Sequence, residues 1–293
     1  MGGSMTGGDV LVASLLREGV EVVFGLPGVQ IYGVMAALRN ERRIRFIATR
    51  HEQATTYMAD GYARASGKVG TALVVPGPGV FNAASGLSTA YASSSPVLLI
   101  AGQVPRAFLD RGVGQVHEVR NQLEALSSVT KWRKRVLQVP EIPGAVREVF
   151  RELRSGRPRP VAIEMPPEVM EEEGEAQPLD PIPARRAVPS ASDLDRAAEL
   201  LMASADPVIY AGGGVHASGA HEALRNVAEL LEAGVIESTE GKGSVSDDSD
   251  LSLGAVLWPD GPLRRHFAAA DVILAVGTRF ALARPRPEQQ VIQ

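Results

Sequence analysis

Short apolar runs alternate along this chain with segments whose apolar residues recur at helical spacing. The run Ile44 to Ala48 predicts a buried strand. Ala54, Tyr57, Met58, Tyr62 and Ala65 then predict a helix from His51, with Gly67 as its stop. The same alternation holds on either side. Val10, Ala13, Leu15 and Leu16 predict an opening helix, Glu21 to Phe24 a strand, and Ile31 to Leu38 a helix. Gly70 to Val75 predicts a strand, Phe81 to Ala92 a helix and Pro96 to Ala101 a strand, with residues 102–118 as a loop. Ile142 to Leu153 and Val161 to Met165 close the series as helix and strand. Strands that are apolar nearly throughout, separated by helices, predict a parallel sheet covered on both faces.

A different composition follows. Pro166, Pro167, Pro178, Pro181, Pro183 and Pro189 flank the acidic run Glu171-Glu172-Glu173, which predicts an exposed linker over 167–190. A second α/β series begins near Ser192. It has a helix at Ala197, Leu200 and Leu201, strands at Pro207–Ala211, Val235–Glu237 and Val272–Val276, and helices at Ala223–Leu231 and Pro262–Ala269. The predicted fold class is therefore α/β with two domains, each a three-layer α/β/α sandwich around a parallel sheet, over 8–166 and 191–293. Val291-Ile292-Gln293 reads as the start of a further strand, so the second domain is expected to be incomplete. Residues 1–7, with a second Met at position 5, read as a leader left by expression and outside the fold.

Composition narrows the partners. The 293 residues are 45% hydrophobic and 22% charged, with net charge −4 and no basic block, which argues against nucleic acid or an anionic membrane. The apolar run Val10 to Leu16 is broken by Arg17 and Glu18, too early for an anchor. Absence of cysteine excludes disulfides and thiolate chemistry and suits a cytoplasmic protein.

Generic motifs carry little chemistry. Gly212-Gly213-Gly214 follows a strand but lacks the spacing of a dinucleotide fingerprint, and a tight turn is the favoured reading. Gly241-Lys242-Gly243 lacks a phosphate-loop frame. His216 and His221 are five apart, not the four that aligns ligands on one helical face, and no metal site is predicted. Glu52 stands at a strand's carboxyl end and in a helix's first turn, where ligands gather in open α/β sheets and where helices favour negative charge. On spacing alone an ordinary first-turn acid is the favoured reading, because most such acids are only that.

Several segments together resemble the thiamine-diphosphate-dependent enzymes of the acetolactate synthase group. These are Val23-Phe24-Gly25-Leu26-Pro27-Gly28; Arg50-His51-Glu52-Gln53 with Met58 to Arg64; Gly77-Pro78-Gly79 with Asn82; Gly156-Arg157-Pro158 with Pro160-Val161; the Gly212 and Gly241 clusters; and Asp271 to Arg279. Six matches stand in the family's order. The resemblance implies that Glu52 is the catalytic glutamate, which hydrogen-bonds the cofactor's aminopyrimidine ring and favours its imino form. It implies that Pro27, Gly28, Pro78 and Asn82 line the pyrimidine pocket. Val116-His117-Glu118 is the best match to the family's Phe-Gln-Glu loop, which puts His117 toward the substrate; an exposed loop histidine is the competing reading.

The implied reaction is decarboxylation of a 2-oxo acid such as pyruvate, followed by ligation to a second carbonyl. Decarboxylation alone, or a noncatalytic binding module, are the alternatives. A dinucleotide-dependent oxidoreductase would rest only on Gly212 to Gly214. Magnesium and the diphosphate are held in the family by a third domain, whose Gly-Asp-Gly…Asn motif is not found here, so this chain is expected to be the N-terminal part of a longer enzyme, inactive alone. A homodimer or homotetramer is implied because the family's active site lies between subunits. Flavin is doubtful: Gly254-Ala255-Val256-Leu257 and Trp258-Pro259-Asp260 stand where flavin-binding relatives have Gly-Met-His-Gly, although Arg157 and Arg279 match positions near flavin.

Overall fold

A computed structural model describes residues 4–183, 187–255, 261–281 and 283–293. The chain divides into two compact units, Met1–Arg186 and Ala187–Gln293. Residues 256–260, on which part of the flavin reading turns, lie outside the described residues.

The first unit opens with β1 (Met5–Thr6), α1 (Gly7–Arg17), β2 (Val22–Gly25), α2 (Tyr32–Asn40), β3 (Arg45–Ala48) and α3 (Glu52–Ser66). It continues with β4 (Gly70–Val74), α4 (Pro78–Ser93), β5 (Val97–Gly102), α5 (Gln122–Ala125), β6 (Trp132–Arg135) and α6 (Ile142–Arg154). It closes with β7 (Val161–Met165), α7 (Pro167–Glu171) and β8 (Glu173–Gly174). Six strands pair in parallel in the order β3-β2-β4-β5-β7-β6. Alternate strand residues feed two cores. Leu73, Leu98, Ile100 and Ile163 pack with α1, α2 and α6, while Ala72, Val74, Leu99 and Ala162 pack with α3 and α4. Two covered faces explain why the central strands are apolar throughout.

The contact between α3 and α4 is built from small residues. Thr56 of α3 donates its hydroxyl to the Ala83 carbonyl of α4 at 2.7 Å. A Cβ on Gly86 would lie 2.7 Å from the Tyr57 amide nitrogen, so the helices meet backbone to backbone. Gly86→Ala is therefore expected to destabilise this unit by about 1–3 kcal/mol through overpacking, read as an earlier urea transition.

Four expectations are corrected. Residues 5–7 belong to the fold: Met5 and Thr6 pair antiparallel with Gly174 and Glu173, and Thr6 caps α1 by accepting from the Asp9 amide. The linker starts later than residue 167, because Val169 and Met170 of α7 are fully buried. β3 is not a buried strand but the edge of the sheet, with Arg45 and Ala48 exposed. The buried face of α3 is Thr55, Thr56, Ala59, Asp60 and Ala63, while the periodic apolar residues Tyr57 and Met58 face outward. β6, with the sequence Trp-Arg-Lys-Arg, was not expected; an edge strand needs no apolar alternation.

The second unit comprises α8 (Ala191–Met202), β9 (Pro207–Ala211), α9 (Gly214–Ser218), α10 (His221–Leu231), β10 (Gly234–Glu237) and β11 (Ser252–Gly254). It ends with α11 (Pro262–Ala269), β12 (Val272–Val276) and β13 (Gln290–Ile292). Its strands pair in parallel in the order β11-β10-β9-β12-β13, with cores on both faces. Both units are thus three-layer α/β sandwiches. No helix among the described residues is long and apolar enough to cross a membrane.

Candidate active site

Four loops gather at the carboxyl edge of the first sheet, after β2, β3, β4 and β5. The loop after β3 is built to present an acid. The Thr49 hydroxyl donates to the His51 carbonyl at 3.0 Å. His51, in extended backbone, caps α3 by accepting the Gln53 amide on Nδ1. Glu52 follows as the first residue of the helix, half-buried, where the orphan amides of the first turn favour an anion.

Its partner comes from the next loop. Asn82 of α4 donates its amide to Glu52 Oε2 at 3.0 Å. Pro78 occupies the first turn of α4, where a missing N–H is harmless. Gly79 follows; a Cβ there would come 2.8 Å from Val75 Cγ2 and 3.6 Å from Glu52 Cγ. Val75 thus leaves no room for a side chain at Gly79. Gly28 likewise has no room for a side chain, because Val75 fills the place. Its backbone is extended, so close approach and not φ demands glycine.

The loop after β5 completes the group. Gly77 has φ +57°, and a Cβ on it would strike the His117 carbonyl oxygen. His117 is itself in left-handed backbone, φ +68°. Its Nδ1 is buried with no hydrogen-bond partner. The Glu118 carboxylate accepts the amides of Gly112, Gly114 and Gln115 at 2.8, 2.7 and 2.9 Å. Those donors, that of Gln115 foremost, hold its carboxyl below the usual range.

The six sequence-predicted positions therefore all lie at one sheet edge. Glu52 and Asn82 touch, Gly28 and Pro78 shape the turns beside them, and His117 arrives by its backbone against Gly77. Pro27 and Pro78 are exposed. Gln122 and Glu164 escaped the sequence reading, although both are buried and bonded to this edge. The available signal was an acid inside the apolar run Val161 to Met165. Among the described residues no group of three or more His, Cys, Asp or Glu side chains is arranged to hold a metal ion.

In the second unit, the glycines after β9 pack on the loop after β12. A Cβ on Gly212 would lie 2.7 Å from Thr278 Cα, and one on Gly214 would meet Gly277. The turn reading accounts for them, and α9 is only five residues long. His216 and His221 do meet, Nδ1 to Nε2 at 2.9 Å, because Gly219 at φ +66° turns α9 into α10. Spacing within one helix could not show this.

Residues 5–125 match the model of the N-terminal TPP-binding domain of thiamine pyrophosphate enzymes, and residues 194–293 match the model of their central domain. A probable 2-ketoarginine decarboxylase of Pseudomonas aeruginosa is 39% identical over 285 residues, covering 95% of this chain and 49% of the relative. A probable acetolactate synthase large subunit of Methanocaldococcus jannaschii is 36% identical over 290 residues, covering 94% and 48%. The acetolactate synthase isozyme 3 large subunit of Escherichia coli is 34% identical over 284 residues, covering 94% and 49%. The chain spans about half the length of these relatives.

Proposed function

We propose a function from one premise: the chain belongs to the thiamine pyrophosphate enzyme family, through both its N-terminal and its central domain. In this reading it forms the pyrimidine side of an enzyme that decarboxylates a 2-oxo acid such as pyruvate and joins the product to a second carbonyl. The observation that carries it is the Glu52–Asn82 pair beside a side-chain-free Gly79. A half-buried carboxylate with one amide donor keeps acceptor capacity for a ring N–H, which the imino tautomer of an aminopyrimidine would offer.

Thiamine diphosphate, when bound, supplies the electron sink that a 2-oxo acid needs to lose carbon dioxide. The protein's part is position and proton contact. Glu52 accepts a hydrogen bond from the ring and holds the proton there. Asn82 keeps one carboxylate oxygen in place. Gly28 and Gly79 let the turns pack closely on Val75, and Pro27 and Pro78 border those turns. His117 would stand on the substrate side of the ring. Magnesium belongs to the diphosphate end of the cofactor and takes its ligands from elsewhere in the enzyme. Flavin is not required by this reading.

The partner surface follows from α3 and α4. Tyr57 is 41% exposed, Met58 38% and Phe81 53%, an outward apolar face on the helices that carry Glu52 and Asn82. A homodimer or homotetramer of a cytoplasmic enzyme would cover it. Tyr57→Lys with Met58→Lys in the full-length protein is expected to shift sedimentation to the monomer; an unchanged assembly would place the interface elsewhere.

Product analysis of full-length protein with pyruvate tests the reaction. Acetolactate supports ligation. An aldehyde alone supports simple decarboxylation, the activity named for the Pseudomonas relative. No carbon dioxide from any 2-oxo acid leaves a binding module.

A further inference from the structure

A chain of polar contacts runs from the Gly77 turn through the sheet edge to the loop that carries His117. The Gly77 amide donates to Gln122 Oε1 at 2.8 Å. The Gln122 amide nitrogen donates to the Gly102 carbonyl at 2.9 Å and to Glu164 Oε2 at 2.8 Å. Gln122 is 1% exposed and Glu164 fully buried. Gln103 also donates to Glu164 Oε2, at 3.2 Å, and Arg135 Nε donates to Oε1 at 2.5 Å. Arg135 Nη1 then reaches Asp110 Oδ2 at 3.1 Å. Asp110 begins the loop that His117 ends, and the His117 carbonyl rests on Gly77, which closes the circuit.

That loop needs holding. Asp110, Gly112, Gly114 and His117 all have positive φ, at 60°, 62°, 80° and 68°. Two of them are not glycine, a costly arrangement that persists only when the surroundings impose it. Glu118 supplies part of the constraint by filling the nest of amides at its tip. Gln122 supplies the link to the rest of the site. It must accept from Gly77 while donating to Gly102 and Glu164, and only an amide side chain of this length does both.

We propose that Gln122 is a positioning residue: it locks the Gly77 turn and the 110–118 loop into one register and thereby sets where the His117 imidazole meets a 2-oxo acid. The substrate clause rests on the function proposed above; the mechanical coupling does not.

The test is Gln122→Met. In the 293-residue chain, the amides of Gly77, Gly112, Gly114 and Gln115 are expected to exchange at least about tenfold faster, and the His117 ring resonance to shift or split. Leu99 and Ile100 of β5 keep their protection. Faster exchange at Gly77 alone, with the loop and His117 unmoved, overturns the coupling. Should the variant unfold, Glu118→Gln, which weakens the carboxylate's hold on the loop amides, serves instead. It is expected to loosen Gly77 together with Gly112 and Gly114, and an unmoved Gly77 overturns the proposal. In the full-length protein, Gln122→Met is expected to lower kcat/KM for the 2-oxo acid while the thiamine diphosphate Kd holds. A loosened loop with unchanged kcat/KM overturns the positioning role. A wild type without turnover defeats the proposed function, and the exchange data then still decide the coupling.

Discussion

Glu52→Gln in the full-length protein is expected to lower kcat/KM for 2-oxo acid turnover by about 10²–10⁴-fold, the usual worth of a positioned proton-transfer group. The fold should survive. Glutamine has the same shape, and its carbonyl oxygen can still accept from Asn82 Nδ2, which now lies 3.0 Å from Glu52 Oε2. Loss of negative charge in the first turn of α3 costs about 0.3–1 kcal/mol. What disappears is the anionic acceptor that would hold a proton on the cofactor ring. Thermal unfolding within a few degrees of wild type, with turnover nearly gone, would separate chemistry from stability. Turnover within a few-fold of wild type would reduce Glu52 to an ordinary first-turn acid.

Arg154→Met is expected to destabilise the first unit by about 3–5 kcal/mol at neutral pH, the cost of stranding a buried charge. Glu18 is 7% exposed, and its Oε2 accepts from Arg154 Nη1 at 2.6 Å while the Glu18 carbonyl accepts from Nη2 at 3.1 Å. Its Oε1 has no partner. Burial raises the Glu18 pKa above its ordinary 4.5, and Arg154 pulls it down by hydrogen bond and charge without cancelling the rise. A raised carboxyl pKa means the folded state binds the proton more tightly than the unfolded one. Stability from this group is then greatest below the unfolded pKa and falls as pH rises through the folded value. Removing Arg154 pushes the folded value higher and widens that window. Urea unfolding should therefore show a large loss at pH 7 that shrinks toward pH 5. An equal loss at both would mean the stranded carboxylate is not its source.

The strand-and-helix order was legible because both sheets are buried on two faces, so their strands read as apolar runs. Legibility failed where burial is one-sided. β6, four residues of Trp, Arg and Lys at a sheet edge, carries no alternation. α3 carries a misleading one: its apolar stripe of Tyr57 and Met58 faces out, and its packed face is Thr55, Thr56 and Asp60. Small residues close to another backbone pack through shape, which a hydrophobicity pattern does not record. The same exposed stripe is the surface that the proposed oligomer would bury.

The site was legible to the extent that it is local. Glu52 follows a strand and opens a helix, and Gly77-Pro78-Gly79 marks a turn on residue type alone. The Glu52–Asn82 contact spans thirty positions of sequence, and only the resemblance brought the two together before the fold did. Gln122 and Glu164 meet across 42 positions and match no motif. Their role emerges only when the carboxyl ends of β4, β5 and β7 lie side by side.

The most direct measurement is a double-mutant cycle on full-length protein. Wild type and Glu52→Gln would be assayed with thiamine diphosphate and with an analogue in which the pyrimidine ring nitrogen facing Glu52 is replaced by CH. If the carboxylate acts through that nitrogen, each change alone abolishes most turnover of the 2-oxo acid, and the second adds little to the first. Losses that multiply independently would contradict the contact between Glu52 and that nitrogen.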